Sequence, residues 1–338
     1  MVTSDGGLRV WPSLFLTPKT GAHAHHGSFG RLPTVVVVAR LIILVGEVFF
    51  WIRFFSTPTA EELSMLHERN RWRAFWNTGG WWKAALLVVG YWLLYQLVGL
   101  ATSTLFASTI DAKDPISTPA SVMFGIAVPI AVMGALLLAF SGSLRWTRSL
   151  FKAHPVLHPR WLWGVVAIMI LPVVLRVVAT EWSRYSWLLV LSILLLGLCI
   201  GFAEELLTRG IAVRVLQNAG FGERTVLIVS ATLFAVLHLG NVVSGQSVVT
   251  VLVTAAYAFG FGGMMYLALI STGRLWWAIA LHAITDPTTI LATGGIDTHG
   301  SQGTGAEALL AAAAVFNVLY LLVTAVAIWR LGPRSSTH

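Results

Sequence analysis

Nine stretches of mainly apolar residues follow one another along this 338-residue chain, at about 34–56, 80–104, 120–142, 161–180, 186–210, 225–241, 247–270, 275–292 and 306–329. Most approach the roughly 20 residues that cross the hydrocarbon of a bilayer. In lipid a backbone has to satisfy its own hydrogen bonds, so an α-helix is the form open to each stretch. The expected fold class is therefore all-α: a polytopic transmembrane helix bundle of about 8–9 spans. Composition agrees, since only 11% of residues are charged and 57% are hydrophobic, whereas a soluble domain averages about 25% charged. The first stretch is interrupted by Arg40 and Glu47. Seven residues apart, they share a helix face suited to neighbouring helices rather than lipid, and the sequence leaves open whether this stretch crosses.

The net charge of +8 comes from Lys and Arg gathered in short loops beside the apolar runs. That pattern orients a membrane protein, and no separate basic domain exists to hold nucleic acid, so nucleic acid is excluded as a partner and the lipid bilayer is expected. Arg145, Arg148, Lys152, Arg160, Arg214, Arg224, Arg274, Arg330 and Arg334 fall on one side, which places the C-terminus in the cytoplasm. Residues 1–33 are polar, fit neither a signal nor a transit peptide, and are expected to be a disordered tail. The single Cys199 lies in an apolar run and has no partner for an internal disulfide. Domain organisation then reads as the tail 1–33, N-terminal transmembrane helices over 34–180, a core over 186–292, and a C-terminal helix with a short cytoplasmic tail over 306–338.

Charged and polar groups inside apolar runs are costly and mark a bundle interior or a site. In Glu204-Glu205-Leu206-Leu207-Thr208-Arg209, Glu205 and Arg209 are four apart, stack on one face and can pair. Glu204 is turned roughly 100° away along the helix, and an unpaired carboxylate in a poorly solvated place suits general-base chemistry. The plainer reading is an ion pair that only orients helices or reaches to the interface. Phe234 and His238 also share a face, with Asn241 near the next turn. His282 and Asp286 repeat the spacing, so the acid can hold one imidazole nitrogen and fix the tautomer at the other. Pro287 follows at once and is expected to break or kink that helix. A lone histidine in an apolar helix is ordinarily a hydrogen-bonded core residue. Two of them, each with a polar partner and both downstream of the Glu-Glu-Arg run, favour a site.

In order along the chain, Glu-Glu-x3-Arg, Phe-x3-His and His-x3-Asp resemble the motifs of the CPBP family, the CAAX prenyl proteases of the Rce1 type and bacteriocin-processing (Abi) enzymes. The resemblance covers roughly 186–292 and implies an intramembrane endopeptidase in which a glutamate activates water. Carried over residue by residue, Glu204 is the general base, Glu205 and Arg209 complete the first motif, His238 is the second-motif histidine, and His282 with Asp286 forms the third. The family often has Asn where this chain has Asp286, which adds charge at that point. The implied substrate is a membrane-anchored peptide or protein, and the family's distribution suggests a bacterial plasma membrane. Cofactor use stays open between none and a single Zn2+, for which Glu204, His238 and His282 would be the candidate ligands. Two other functions fit a polar bundle interior: a non-catalytic scaffold or bacteriocin-immunity protein, and a proton-coupled transporter. The absence of an internal repeat disfavours the transporter.

Overall fold

The computed structural model describes residues 70–153, 163–243, 245–295 and 306–331. Eight long helices occupy them, and no strand is found among the described residues. They are α1 (Trp81–Leu105), α2 (Pro119–Ser143), α3 (Trp163–Ala179), α4 (Trp187–Asn218), α5 (Glu223–Val242), α6 (Val248–Thr272), α7 (Leu275–Thr293) and α8 (Glu307–Arg330). All except α3 and α7 are long and apolar enough to cross a membrane; α3 is a shorter apolar helix of 17 residues. The bundle matches the expected all-α class, and the chain is an integral membrane protein. The tail 1–33 and the stretch 34–56 lie outside the described residues.

Helix ends follow local chemistry. Ser186, Ser247 and Thr118 cap α4, α6 and α2 by accepting a hydrogen bond from the amide three residues on, which satisfies one of the orphan donors of a first turn. Gly273 and Gly294 end α6 and α7 in the left-handed region, at φ 67° and 72°, where a residue without Cβ is favoured. Outward faces carry Leu86, Val89, Leu93, Leu97 and Leu100 on α1, and Val315, Val318, Leu322 and Val326 on α8, all exposed. In a bundle of this length such stripes are the lipid-facing surface. The tryptophans at segment starts, Trp81, Trp82, Trp276 and Trp277, are exposed as well, consistent with interfacial anchoring.

The helix α4 packs along most of α7 and also touches α2, while α5 lies against α6 and α6 against α8. Two glycines set the α4–α7 approach. A Cβ on Gly201 would lie 2.7 Å from the amide nitrogen of Ala283, and one on Gly197 would lie 2.0 Å from Pro287 Cγ. Small residues let helix backbones close up where lipid provides no hydrophobic drive. Of the break or kink expected at Pro287, the break does not occur, because α7 runs through it from Leu275 to Thr293. The ring and the Ala283 carbonyl that proline deprives of its donor both sit against Gly197, where no side chain obstructs them. Packing against a neighbour thus absorbs the defect, as transmembrane helices allow.

Candidate active site

The acidic pair lies at an irregularity in α4. Regular α-helix runs from Trp187 to Glu205, a π-helical stretch spans Leu206–Ala212, and α-helix resumes over Val213–Asn218. All seven residues of the wide stretch are buried. The continuation past Arg209 carries Glu204 and Glu205 well into the helix, so that α5 and α7 can reach them.

Glu205 is fully buried and holds Arg209, with Nη1 3.2 Å from its Oε1. The guanidinium stacks 4.4 Å over the Phe234 ring, and Nη1 also donates to Thr208 Oγ1. Gly262 on α6 makes room for this cation, since a Cβ there would lie 2.7 Å from Arg209 Nη2. Glu204 differs from its neighbour: its side chain retains 21% exposure and makes no ion pair with Arg209. One carboxylate is structural and the other is left reachable.

His282, buried on α7, stands between three carboxylates. Nδ1 lies 2.8 Å from Glu205 Oε1, while Nε2 lies 3.3 Å from Asp286 Oδ2 and 4.0 Å from Glu204 Oε2. Its ring meets Phe234 and Phe261 edge-on, at centroid distances of 5.7 and 4.9 Å. The expected His282–Asp286 contact is present. The fixing of the ring from its other nitrogen belongs to Glu205, a partner that spacing along α7 does not reveal. On α5, His238 Nδ1 lies 3.0 Å from the Phe234 carbonyl. A ring that donates from Nδ1 to a carbonyl presents Nε2 as acceptor. Glu204 interacts electrostatically with His282, His238 and Asp286.

The structure thus brings Glu204, Glu205, Arg209, His238, His282 and Asp286 into one interior site. Among the described residues no three of His, Cys, Asp and Glu are grouped to hold a metal ion, and both His282 nitrogens already face carboxylates. Other contributors escaped the motif reading. Phe261 is an aromatic in an apolar run, and Ser230, whose Oγ donates to the Thr208 carbonyl at 3.1 Å, is a small residue one turn before Phe234 on the same face of α5. Tyr91 on α1 is buried and interacts electrostatically with Glu204. A second interior cation, Arg176 on α3, is buried and interacts with Tyr320. The interruption of an apolar run by a lone Arg was a signal that could have found it.

An interior cluster of carboxylates and histidines within a helical bundle defines the class: an integral membrane protein with a polar site enclosed by its spans. Residues 186–288 match the family described as type II CAAX prenyl endopeptidase, Rce1-like. That stretch is similar to the Rce1-like family, and all six motif residues lie inside it. No curated protein and no solved structure matches the chain.

Proposed function

We propose that this protein is an intramembrane endopeptidase that hydrolyses a peptide bond of a membrane-associated protein or peptide through water activated by Glu204. The observation that carries the reading is the placement of the reachable Glu204 carboxylate 4.0 Å from His282 Nε2, inside the stretch similar to the Rce1-like family. Peptide hydrolysis needs a base for water, a donor for the developing oxyanion and a proton for the leaving amine. Glu204 takes a proton from water as its oxygen attacks the scissile carbonyl, with His238 Nε2 orienting the water. His282, carried as an imidazolium between carboxylates, donates from Nδ1 to Glu205 and turns its Nε2–H toward the space beside Glu204, where it stabilises the oxyanion. Asp286 keeps that nitrogen in register. As the C–N bond breaks, the proton on Glu204 passes to the departing amine. Glu205, Arg209 and Phe234 keep the constellation fixed, and no step is routed through a metal.

The arrangement of arginines supports a cytoplasmic C-terminus. Arg145, Arg148 and Lys152 follow α2, Arg214 and Arg224 flank the α4–α5 turn, Arg274 joins α6 to α7, and Arg330 ends α8. Successive antiparallel helices bring these to one end of the bundle, the cytoplasmic end by the positive-inside rule. Cleavage of quenched, membrane-anchored peptides by the detergent-solubilised protein tests the proposal, with Glu204→Gln and His282→Ala in parallel. Cleavage by wild type that both variants lose is the expected result. Cleavage that persists in a folded Glu204→Gln protein would overturn the mechanism, and a wild type inert across a broad peptide set would favour a scaffold.

A further inference from the structure

One stripe of α5 meets Thr208, Arg209, His282 and Glu204 of the site. Ser230, Phe234 and His238 are spaced by four and so lie on one helix face. Phe234 lies under the Arg209 guanidinium, and His238 interacts with Glu204. Ser230, at the other end of the stripe, donates from Oγ to the carbonyl of Thr208 at 3.1 Å, and both residues are fully buried. A π-helical stretch breaks the regular succession of backbone hydrogen bonds, and a buried carbonyl left without a donor costs about 1–3 kcal/mol. The hydroxyl of Ser230 gives one carbonyl of that stretch a donor and ties α5 to the wide turn at that point.

Thr208 completes the link on the other side. A hydroxyl offers one donor and two acceptor lone pairs. Thr208 Oγ1 donates to the Glu204 carbonyl at 2.6 Å and accepts from Arg209 Nη1. Arg209 Nε and Nη2 have no hydrogen-bond partner. The guanidinium is therefore directed by two oxygens, Thr208 Oγ1 and Glu205 Oε1, and by the ring beneath it. Glu205 Oε1 is in turn the atom on His282 Nδ1. A continuous chain of contacts runs from Ser230 through Thr208, Arg209 and Glu205 to the imidazole.

We propose that Thr208 and Ser230 are positioning residues: a hydroxyl clamp on the wide turn of α4 that aims Arg209 and, through Glu205, sets the orientation of His282. The clamp uses none of the named residues of the Glu-Glu-Arg, His and His-Asp motifs, and only its kinetic readout rests on the hydrolytic reading above. The test compares wild type with Thr208→Val, which keeps the shape and loses the hydroxyl, Thr208→Ser, which keeps the hydroxyl, and Ser230→Ala. Nitrogen NMR of the histidine rings in detergent, with His282 assigned through His282→Gln, reports the imidazole directly. Peptide cleavage separates kcat from KM.

In Thr208→Val the His282 ring signals move, and kcat falls roughly ten- to hundredfold with KM unchanged, the size of effect expected from misplacing a catalytic group. Thr208→Ser restores both readouts, and Ser230→Ala shifts them in the same direction as Thr208→Val. A folded Thr208→Val protein with wild-type His282 signals would overturn the clamp. Equal losses in Thr208→Val and Thr208→Ser would overturn it too, since the hydroxyl would then not be the cause. If wild type cleaves no peptide while Thr208→Val still moves the His282 signals, the clamp stands and the hydrolytic reading fails.

Discussion

His282 Nδ1 lies 2.8 Å from Glu205 Oε1, although the two residues are 77 positions apart in sequence. The same oxygen lies 3.2 Å from Arg209 Nη1. A single carboxylate oxygen therefore joins the interior cation to the interior histidine, and Glu204 is left outside that pairing with its side chain partly accessible. The two adjacent glutamates differ because Glu205 meets Arg209 and His282 Nδ1, while Glu204 faces the Nε2 side of the ring.

Replacing Glu204 by Gln keeps the shape of the side chain and removes the base. Cleavage falls by roughly 10²–10⁴-fold, the contribution of a positioned general acid–base group. The thermal midpoint in detergent stays close to that of wild type, because Glu204 is not a partner of Arg209. Steady-state cleavage with parallel thermal melts checks both outcomes.

Replacing Arg209 by Met has a different signature. It strands the buried Glu205 without its cation, and breaking a buried pair from one side costs about 3–5 kcal/mol. The melt shifts down strongly, and the protein that stays folded also loses activity, because Glu205 no longer has the guanidinium that sets it against His282. Exchanging Glu205 for Gln in the same protein recovers part of the stability, which a double-mutant cycle reads as coupling.

Gly201→Val drives a side chain into the backbone of α7, where a Cβ already falls 2.7 Å from the Ala283 nitrogen. Forcing α4 and α7 apart costs about 1–3 kcal/mol and moves His282 away from Glu205. Activity drops more steeply than stability, as the two measured side by side reveal.

Asp286→Asn retains a hydrogen-bonding group against His282 Nε2 and keeps cleavage within about tenfold of wild type, one hydrogen bond's worth of free energy. Asp286→Ala loses more. If the ranking were reversed, the carboxylate charge rather than the hydrogen bond would be what His282 needs.

Prolonged treatment with a zinc chelator leaves cleavage unchanged. Chelator-sensitive cleavage restored by added zinc would instead make Glu204 and the two histidines metal ligands.

Much of the architecture was legible in the chain. The eight described helices lie where the apolar runs stand, because a span in lipid has few alternatives to a helix. The four-residue spacings of Glu205 with Arg209 and of His282 with Asp286 became contacts, since such pairs share a helix face whatever surrounds it. Gly260 and Gly263 met Leu321 and Thr324 of α8, as small residues at contact spacing suggest. Pro287 misled as to a break, because the local rule knows nothing of the glycine opposite. Phe261 and Ser230 escaped the motif reading, because an aromatic or a serine in an apolar run gains meaning only from what faces it.

The sequence alone determined that this chain builds a helical membrane bundle and which few polar residues must lie within it, because hydrocarbon penalises both open backbone and stray charge. It also carried ordered motifs that resemble those of the Rce1-like family. Tertiary structure alone decided that Glu205 is shared between Arg209 and His282, that Glu204 remains reachable, and that a π turn follows them in α4. Those outcomes depend on how closely α5, α6 and α7 approach α4. That distance is set by the packing of glycines such as Gly197, Gly201 and Gly262 against neighbours far away in sequence.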